Sequence, residues 1–446
     1  MATPQATLAA PGTLFSRMEE ARARTDALFE LLRPESFYER AVAERHRLIF
    51  YLGHVEAFDR NLLGGPLGLQ SRDVSLDKLF AFGIDPVDGG LPSDTAGDWP
   101  SVAQVRAYVL AARADLDRAL CAQRDKHHDL DSTLLNVAIE HRLMHAETLS
   151  YLLHNLPFEK KLPQRVQPAP LGHAPAQRAI SIPAGLATIG QSRPHSDSFG
   201  WDNEFKALEA PVPDFTVDAF PTTNGEFLKF VQSGGYQDER CWSAEDWEWR
   251  RSQSLDHPHF WIPLSHSPIA SRAADWQYRS MFAAIPLPLS APVYVSHAEA
   301  SAFARWANKK LPTEAQWHRA AYATPQGAER RYPWGGSAPD RTRGNFHHAR
   351  WDPTAVDAHP AGASAFGTMD LLGNGWEWTS TPFAPLPGFK PFPFYPGYSA
   401  NFFDGKHFVM KGGSPRTDVC MLRRSFRNWF QPHYPYVYAT FRCVED

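Results

Sequence analysis

The chain has 446 residues, 43% hydrophobic and 21% charged, enough for a packed core in each of two domains. Its 45 Lys and Arg against 49 Asp and Glu leave a net charge of −4 with no long single-sign block, which argues against a nucleic-acid partner. No window approaches the roughly 18 apolar residues of a membrane-spanning helix, so no membrane partner is expected.

Apolar positions recur with helical spacing over residues 14–32, 42–63, 102–120 and 134–153. Asp98-Trp99-Pro100-Ser101 offers a start signal for the third helix, and Asp131-Ser132 for the fourth. Four helices with one long crossover over 64–100 predict a four-helix bundle spanning 1–157, a fold whose core often hosts metal ligands from facing helices. Residues 158–178 are rich in proline and predict a linker. From residue 179 to 446 the texture changes to glycine, proline and tryptophan. Short helices are expected over 222–233 and 296–308. A third begins at Thr313, where Thr313 and Gln316 have capping-box spacing. The remainder predicts short strands and ordered loops, giving a helical domain followed by an α+β domain.

His141 and His145 are four residues apart on the fourth helix. At 3.6 residues per turn they project from one face, close enough to share an ion. His54 lies on the second helix. Three imidazoles from two helices suit a borderline metal with open positions, as an oxygen-activating Fe(II) site needs. A His pair at this spacing also occurs as ordinary core or surface histidine, so spacing alone leaves both readings open. Glu147 falls about 200° around the helix from His145, which favours a supporting or packing role over ligation. His46, His127, His128 and His154 are poorer candidates by the same geometry or by their place near helix ends. The cysteines at 121, 241, 420 and 443 are scattered with no C-x-x-C pair, and residues 1–22 lack an apolar leader. Reduced thiols and a cytoplasmic location are expected.

The second half resembles the formylglycine-generating-enzyme-like domain, a variant of the C-type lectin fold. The resemblance rests on ordered segments at 292–296, 310–317, 332–335, 373–378 (Gly-Asn-Gly-Trp-Glu-Trp), 411–414 and 441–443. The first half resembles the DinB-like bundle through His141, His145 and Glu147. The two together resemble the ergothioneine sulfoxide synthase-like family, iron-dependent enzymes that join sulfur or selenium to hercynine. Segments 397–403 and 423–429 and the His54 segment are similar to that group in particular.

This resemblance implies Fe(II) on His54, His141 and His145, with hercynine, O₂ and a selenosugar or thiol donor as partners. It points to Asn428 and Trp429 as hercynine contacts. Aromatic faces attract quaternary ammonium groups, so Trp429, Phe430 and Tyr398 are candidates for a cage. Arg424 and Arg427 either bind a carboxylate or brace loops. Tyr395 or Tyr398 is expected to donate a proton, with no basis for choosing between them. The chain departs from sulfur-inserting members at several contacts. Met144 stands where they carry Gln, Phe430 where some carry Asp, Pro415 where they carry Trp, and the residues before His54 differ. These departures resemble the selenoneine-forming branch, with γ-glutamylcysteine or cysteine sulfoxide formation as the alternative. A formylglycine-type oxidase, a non-catalytic binding protein and a zinc- or nickel-dependent thiol transferase are rival classes. The oligomeric state is not legible.

Overall fold

Helices in the first part form where a capping side chain meets an apolar face. The computed structural model describes all residues except 1–12, 82–90, 126–130, 171, 193–198, 265–272 and 446. It divides into one unit ending at Arg165 and another running Val166–Asp446.

In the first unit, α1 (Leu14–Phe29) is capped by Thr13, whose hydroxyl accepts from Ser16 N. The second helix, α2 (Leu48–Leu63), is buried along nearly its whole surface, which marks it as the central helix. A short α3 (Val74–Leu79) follows, then α4 (Val102–Asp125) and α5 (Ser132–Asn155). Asp131 caps α5 by accepting from Thr133 N. The bundle is closed by α1 on α5, α5 on α2, and α2 on α4.

Two expectations shift. The helix predicted from residue 42 begins at Leu48, because Arg47 is extended (φ −65°, ψ 154°) and its guanidinium is engaged by Asp94 and the Tyr38 carbonyl. The connection expected over 158–178 is in part ordered structure. Residues Phe158–Lys160 form a 3₁₀ turn, and the buried Lys161 donates to Leu153 O at 2.8 Å.

One ion-pair network ties four helices together. Arg142 of α5, fully buried, reaches Glu56 at 2.9 Å, Asp59 at 2.5 Å and the Val55 carbonyl at 2.9 Å, all on α2. Arg113 of α4 donates to Glu56 at 2.6 Å and to both oxygens of Asp26 on α1. Burial pushes Asp59 up to about 6 despite Arg142, whereas against the same burial Arg142 and Arg113 hold Glu56 below the usual carboxylate range. Because Arg142 adjoins His141 and Asp59 shares a helix with His54, these contacts set the register between the two histidine-bearing helices.

In the second unit, α6 (Asn224–Gln232), α8 (His297–Trp306) and α9 (Glu314–Tyr322) all start at capping boxes, on Thr223, Ser296 and Thr313. Two helices of this unit lie outside those expected from the sequence, the one-turn helix Gly397–Ala400 and α7 (Ala244–Ser252). No residue of α7 is buried, so it carries no apolar stripe to read. The sheet that matters runs in the order Asn428–Phe430, Phe408–Gly413, Gly375–Pro382, Ala439–Thr440, antiparallel except for the last pair. Its register sets Asn428 against Met410 and Trp429 against Val409. Buried Glu377 at the centre accepts both arms of Arg442 at 2.6 Å and Trp317 Nε1 at 2.9 Å. Gly373 has φ +91°, and a Cβ there would meet the Asn345 carbonyl oxygen at 2.5 Å, so the turn before this strand needs glycine.

Replacing Arg142 by Met strands Asp59 without its cation and leaves Glu56 with Arg113 alone. The expected cost is about 3–5 kcal/mol of bundle stability. Urea unfolding followed by far-UV ellipticity measures it, and an unmoved midpoint would show the network to be dispensable.

Candidate metal centre

Among the described residues, His54, His141 and His145 are the one group of three His, Cys, Asp or Glu side chains whose ligand atoms all lie within 4.8 Å of one another. All three are buried, at 4–5% exposure. His145 Nε2 sits 3.1 Å from His54 Nε2 and 3.2 Å from His141 Nε2. With metal–nitrogen bonds of about 2.1 Å, nitrogens at neighbouring corners of an octahedron or tetrahedron are about 3.0–3.4 Å apart. The observed spacing therefore fits one shared ion.

Protons alone do not account for it. His54 Nδ1 lies 2.7 Å from the Phe80 carbonyl oxygen, which only accepts, so the proton is on Nδ1 and Nε2 presents its lone pair. Gly53 allows this, because a Cβ there would fall 2.5 Å from the Phe80 ring. Phe50 stacks on His54 (4.7 Å, 22°) and Phe58 on His141 (3.4 Å, 11°), fixing ring planes. A proton on His145 Nε2 points toward one neighbour only and leaves the other contact without a hydrogen bond, whereas without that proton its lone pair faces that of His54 at 3.1 Å. A cation at the centre satisfies all three nitrogens.

The electrostatics favour the ligating form. Burial, against the pull of the Phe80 carbonyl, lowers His54 to about 4. Burial lowers His141 and His145 well below the usual imidazole range, with the neighbouring histidines adding to it. All three are neutral at pH 7, as metal ligation requires.

The remaining candidates in this unit lie outside the triad. Met144 and Glu147 are half-buried on α5, and Glu147 is not in the group, as the helix angle predicts. His46 packs on Phe50 (4.2 Å), and His154 is buried elsewhere on α5. His127 and His128 lie outside the described residues.

In the second unit the structure groups some candidates and separates others. Trp429 stacks on Phe383 (4.2 Å, 8°) and meets the ring of Tyr398 edge-on at 5.4 Å, with Phe402 at 5.5 Å. Tyr395 is 5.6 Å from Tyr398. Phe430, next along the strand, turns the other way and stacks on Tyr434 (5.2 Å, 17°). Trp429 and Phe430 therefore do not line one face. Asn428 Oδ1 accepts from Trp429 N at 2.9 Å.

The arginines brace. Arg427, 3% exposed, donates to both oxygens of Glu314 at 3.0 Å and to the Ala384 carbonyl. Arg424 pairs with Glu329 at 2.7 Å. The fork of Arg427 is filled by the buried Glu314 carboxylate. Trp201 and Asp202, which no sequence spacing singles out, also belong here: Trp201 stacks on Tyr398 at 3.9 Å and Asp202 accepts from the Ser399 hydroxyl. No spacing signal connects residues about 200 positions apart.

None of the four cysteines forms a disulfide. Cys443 is buried and its thiol is pushed well up by that burial, which makes it a poor metal ligand or nucleophile.

Residues 164–446 match the sulfatase-modifying factor enzyme 1-like domain, and residues 17–149 match the DinB superfamily. The chain is 35% identical over 349 residues to a hercynine oxygenase of Mycobacterium tuberculosis, covering 78% of each. The chain belongs to the ergothioneine sulfoxide synthase-like family. Ergothioneine biosynthesis protein 1 of Neurospora crassa is 28% identical over 500 residues, spanning 94% of this chain and 56% of that protein. Similarity to the formylglycine-generating enzyme of Bos taurus, 28% over 235 residues, extends over only 46% of this chain. A single-domain oxidase reading would leave the bundle and its triad unexplained, whereas family membership accounts for both halves.

The triad's titration gives a stability prediction for chelator-treated protein. Folded pKa values below the unfolded 6.5 mean that the unfolded chain binds protons first as pH falls. Stability is then complete above about pH 6.5 and declines toward pH 4. Asp59, raised to about 6, has the opposite sign and offsets one of these three protons. The unfolding midpoint of the bundle is expected to be lower at pH 5 than at pH 7, and equal midpoints would contradict neutral burial of the three rings.

Proposed function

We propose that this protein is a nonheme Fe(II)- and O₂-dependent enzyme that forms a carbon–chalcogen bond on the imidazole of hercynine. The observation that carries the reading is the pair of Nε2–Nε2 distances, 3.1 and 3.2 Å, among three buried neutral imidazoles. Family membership supplies the substrate class. His54, His141 and His145 would hold the iron, which would supply one-electron chemistry with O₂ and favour the anionic form of a selenol or thiol donor.

The chain's own residues do the rest. The Phe80 carbonyl fixes the His54 tautomer, and Phe50 and Phe58 hold the rings in plane and exclude water. Trp429 and Tyr398 present aromatic faces suited to the trimethylammonium group of hercynine. Asn428 is assigned to hydrogen bonding with its carboxylate or imidazole. Tyr398, buried beside Trp429, is the favoured proton donor over Tyr395.

The donor divides two readings. A selenosugar, giving selenoneine, is supported by Met144, Phe430 and Pro415, which replace residues that contact substrate in sulfur-inserting relatives. Phe430, stacked on Tyr434, is an apolar ring where some members carry a carboxylate. A thiol donor, γ-glutamylcysteine or cysteine, is supported by the names of the relatives, which are tied to ergothioneine. Both readings share the metal, hercynine and O₂. Cytoplasmic operation is part of the proposal and fits four cysteines that form no disulfide.

Anaerobic reconstitution with Fe(II), then addition of hercynine, O₂ and each donor separately, decides between them by product mass and isotope pattern. His141→Ala is expected to lose bound iron and turnover while the 166–446 unit keeps its near-UV signature. Iron at wild-type stoichiometry in that variant would remove His141 from the ligand set. Trp429→Ala is expected to weaken hercynine binding by roughly tenfold or more, as loss of an aromatic–ammonium contact implies. An unchanged Kd by calorimetry would exclude Trp429 as a contact.

A further inference from the structure

Behind Tyr398 lies a buried segment, Trp201-Asp202-Asn203-Glu204, in which no residue exceeds 1% exposure. Burying two carboxylates and an amide side by side is costly unless each is matched. The matches lead to two distant stretches of chain.

The first is the one-turn helix Gly397–Ala400. Trp201 stacks over the ring of Tyr398 at 3.9 Å and 24°. Ser399, also buried, donates its hydroxyl to Asp202 Oδ1 and accepts from Asn203 Nδ2 at 3.0 Å. Only a hydroxyl can give and take at one atom in this way. The second stretch is the run leading to Trp429. Glu204 accepts from Arg423 Nη2 at 2.5 Å and Nε at 2.8 Å, and from Ser425 Oγ at 2.6 Å. One four-residue segment thus grips the two pieces of chain whose rings, Tyr398 and Trp429, meet edge-on at 5.4 Å.

We infer that Trp201–Glu204 is a positioning clasp that sets the Tyr398–Trp429 pair for hercynine, acting through the Ser399 hydroxyl on one side and Arg423 and Ser425 on the other. The inference rests on the reading above that these two rings contact hercynine. A packing role alone would lower stability and leave affinity untouched at temperatures where the protein is folded. A positioning role moves affinity there as well.

The test uses the full-length, iron-loaded protein with calorimetry for hercynine Kd, steady-state kcat and KM, and thermal unfolding. Ser399→Ala removes one oxygen atom. It is expected to raise Kd and KM for hercynine about tenfold with a smaller change in kcat and unchanged iron content, the size expected when a buried hydrogen-bonded pair loses its partner. Asp202→Ala is expected to behave likewise, whereas Asp202→Asn keeps an acceptor for Ser399 and restores Kd to within about twofold of wild type. Folded Ser399→Ala and Asp202→Ala variants that bind hercynine with wild-type Kd, beside a Trp429→Ala variant that does not, would overturn the clasp and leave the site standing. A wild-type protein that fails to bind hercynine would overturn the functional reading itself, and the clasp with it. Equal loss in Asp202→Asn and Asp202→Ala would overturn the role assigned to the Ser399 hydrogen bond.

Discussion

A cation buried in a helical bundle has to be matched, and matching Arg142 determines where α2 and α5 meet. Its partners Glu56 and Asp59 sit on the helix that carries His54, and Arg142 itself adjoins His141. Sliding either helix by one residue would swing the charges about 100° out of reach and unpair them in an apolar core. The network therefore specifies one register, and in that register three imidazole nitrogens converge. Arg113 extends the same constraint to α1 and α4 through Asp26. Stability and the geometry of the histidine triad rest on one set of contacts.

The second unit uses a comparable device with different parts. Glu377 collects Arg442 and Trp317 at the middle of its sheet, while Glu314 holds Arg427 and Glu204 holds Arg423. Each pair anchors a loop that helical or sheet hydrogen bonds do not reach. A domain built from short strands and long loops gains its fixed shape from such buried forks and from stacked aromatics. The ring pair Tyr398–Trp429 depends on this bracing, because Tyr398 stands on a one-turn helix and Trp429 on a three-residue strand.

Much of this was legible in the order of residues. Helical periodicity found α1, α2, α4 and α5, and the Asp131, Thr223, Ser296 and Thr313 caps lie at or within a residue or two of the predicted helix starts. The spacing of His141 and His145 put two ligand candidates on one face, which is a local property and therefore readable. His54, 87 residues before His141, was reachable only as a candidate whose partnership depends on packing. The helices α3 and α7 escaped because neither buries a residue, and burial is what writes a period into sequence. The strand Asn428–Phe430 is three residues long, too short for alternation to declare that Trp429 and Phe430 face apart. The Asp202–Ser399 contact spans 197 positions and leaves no trace in spacing at all. What local rules govern was readable, and what tertiary matching governs was not.

Gly53 shows how far a missing atom can act. Its bare backbone lets the Phe80 ring, just after α3 in the crossover that follows α2, lie flat against the helix. That approach carries the Phe80 carbonyl to His54 and commits the ring's single hydrogen to the far nitrogen. Were the crossover undocked, the imidazole would be at liberty to shuttle that hydrogen inward and blunt its own donor atom. Seating the crossover and fixing the tautomer are accordingly one event, and the strap once fastened keeps the inward nitrogen of His54 bare.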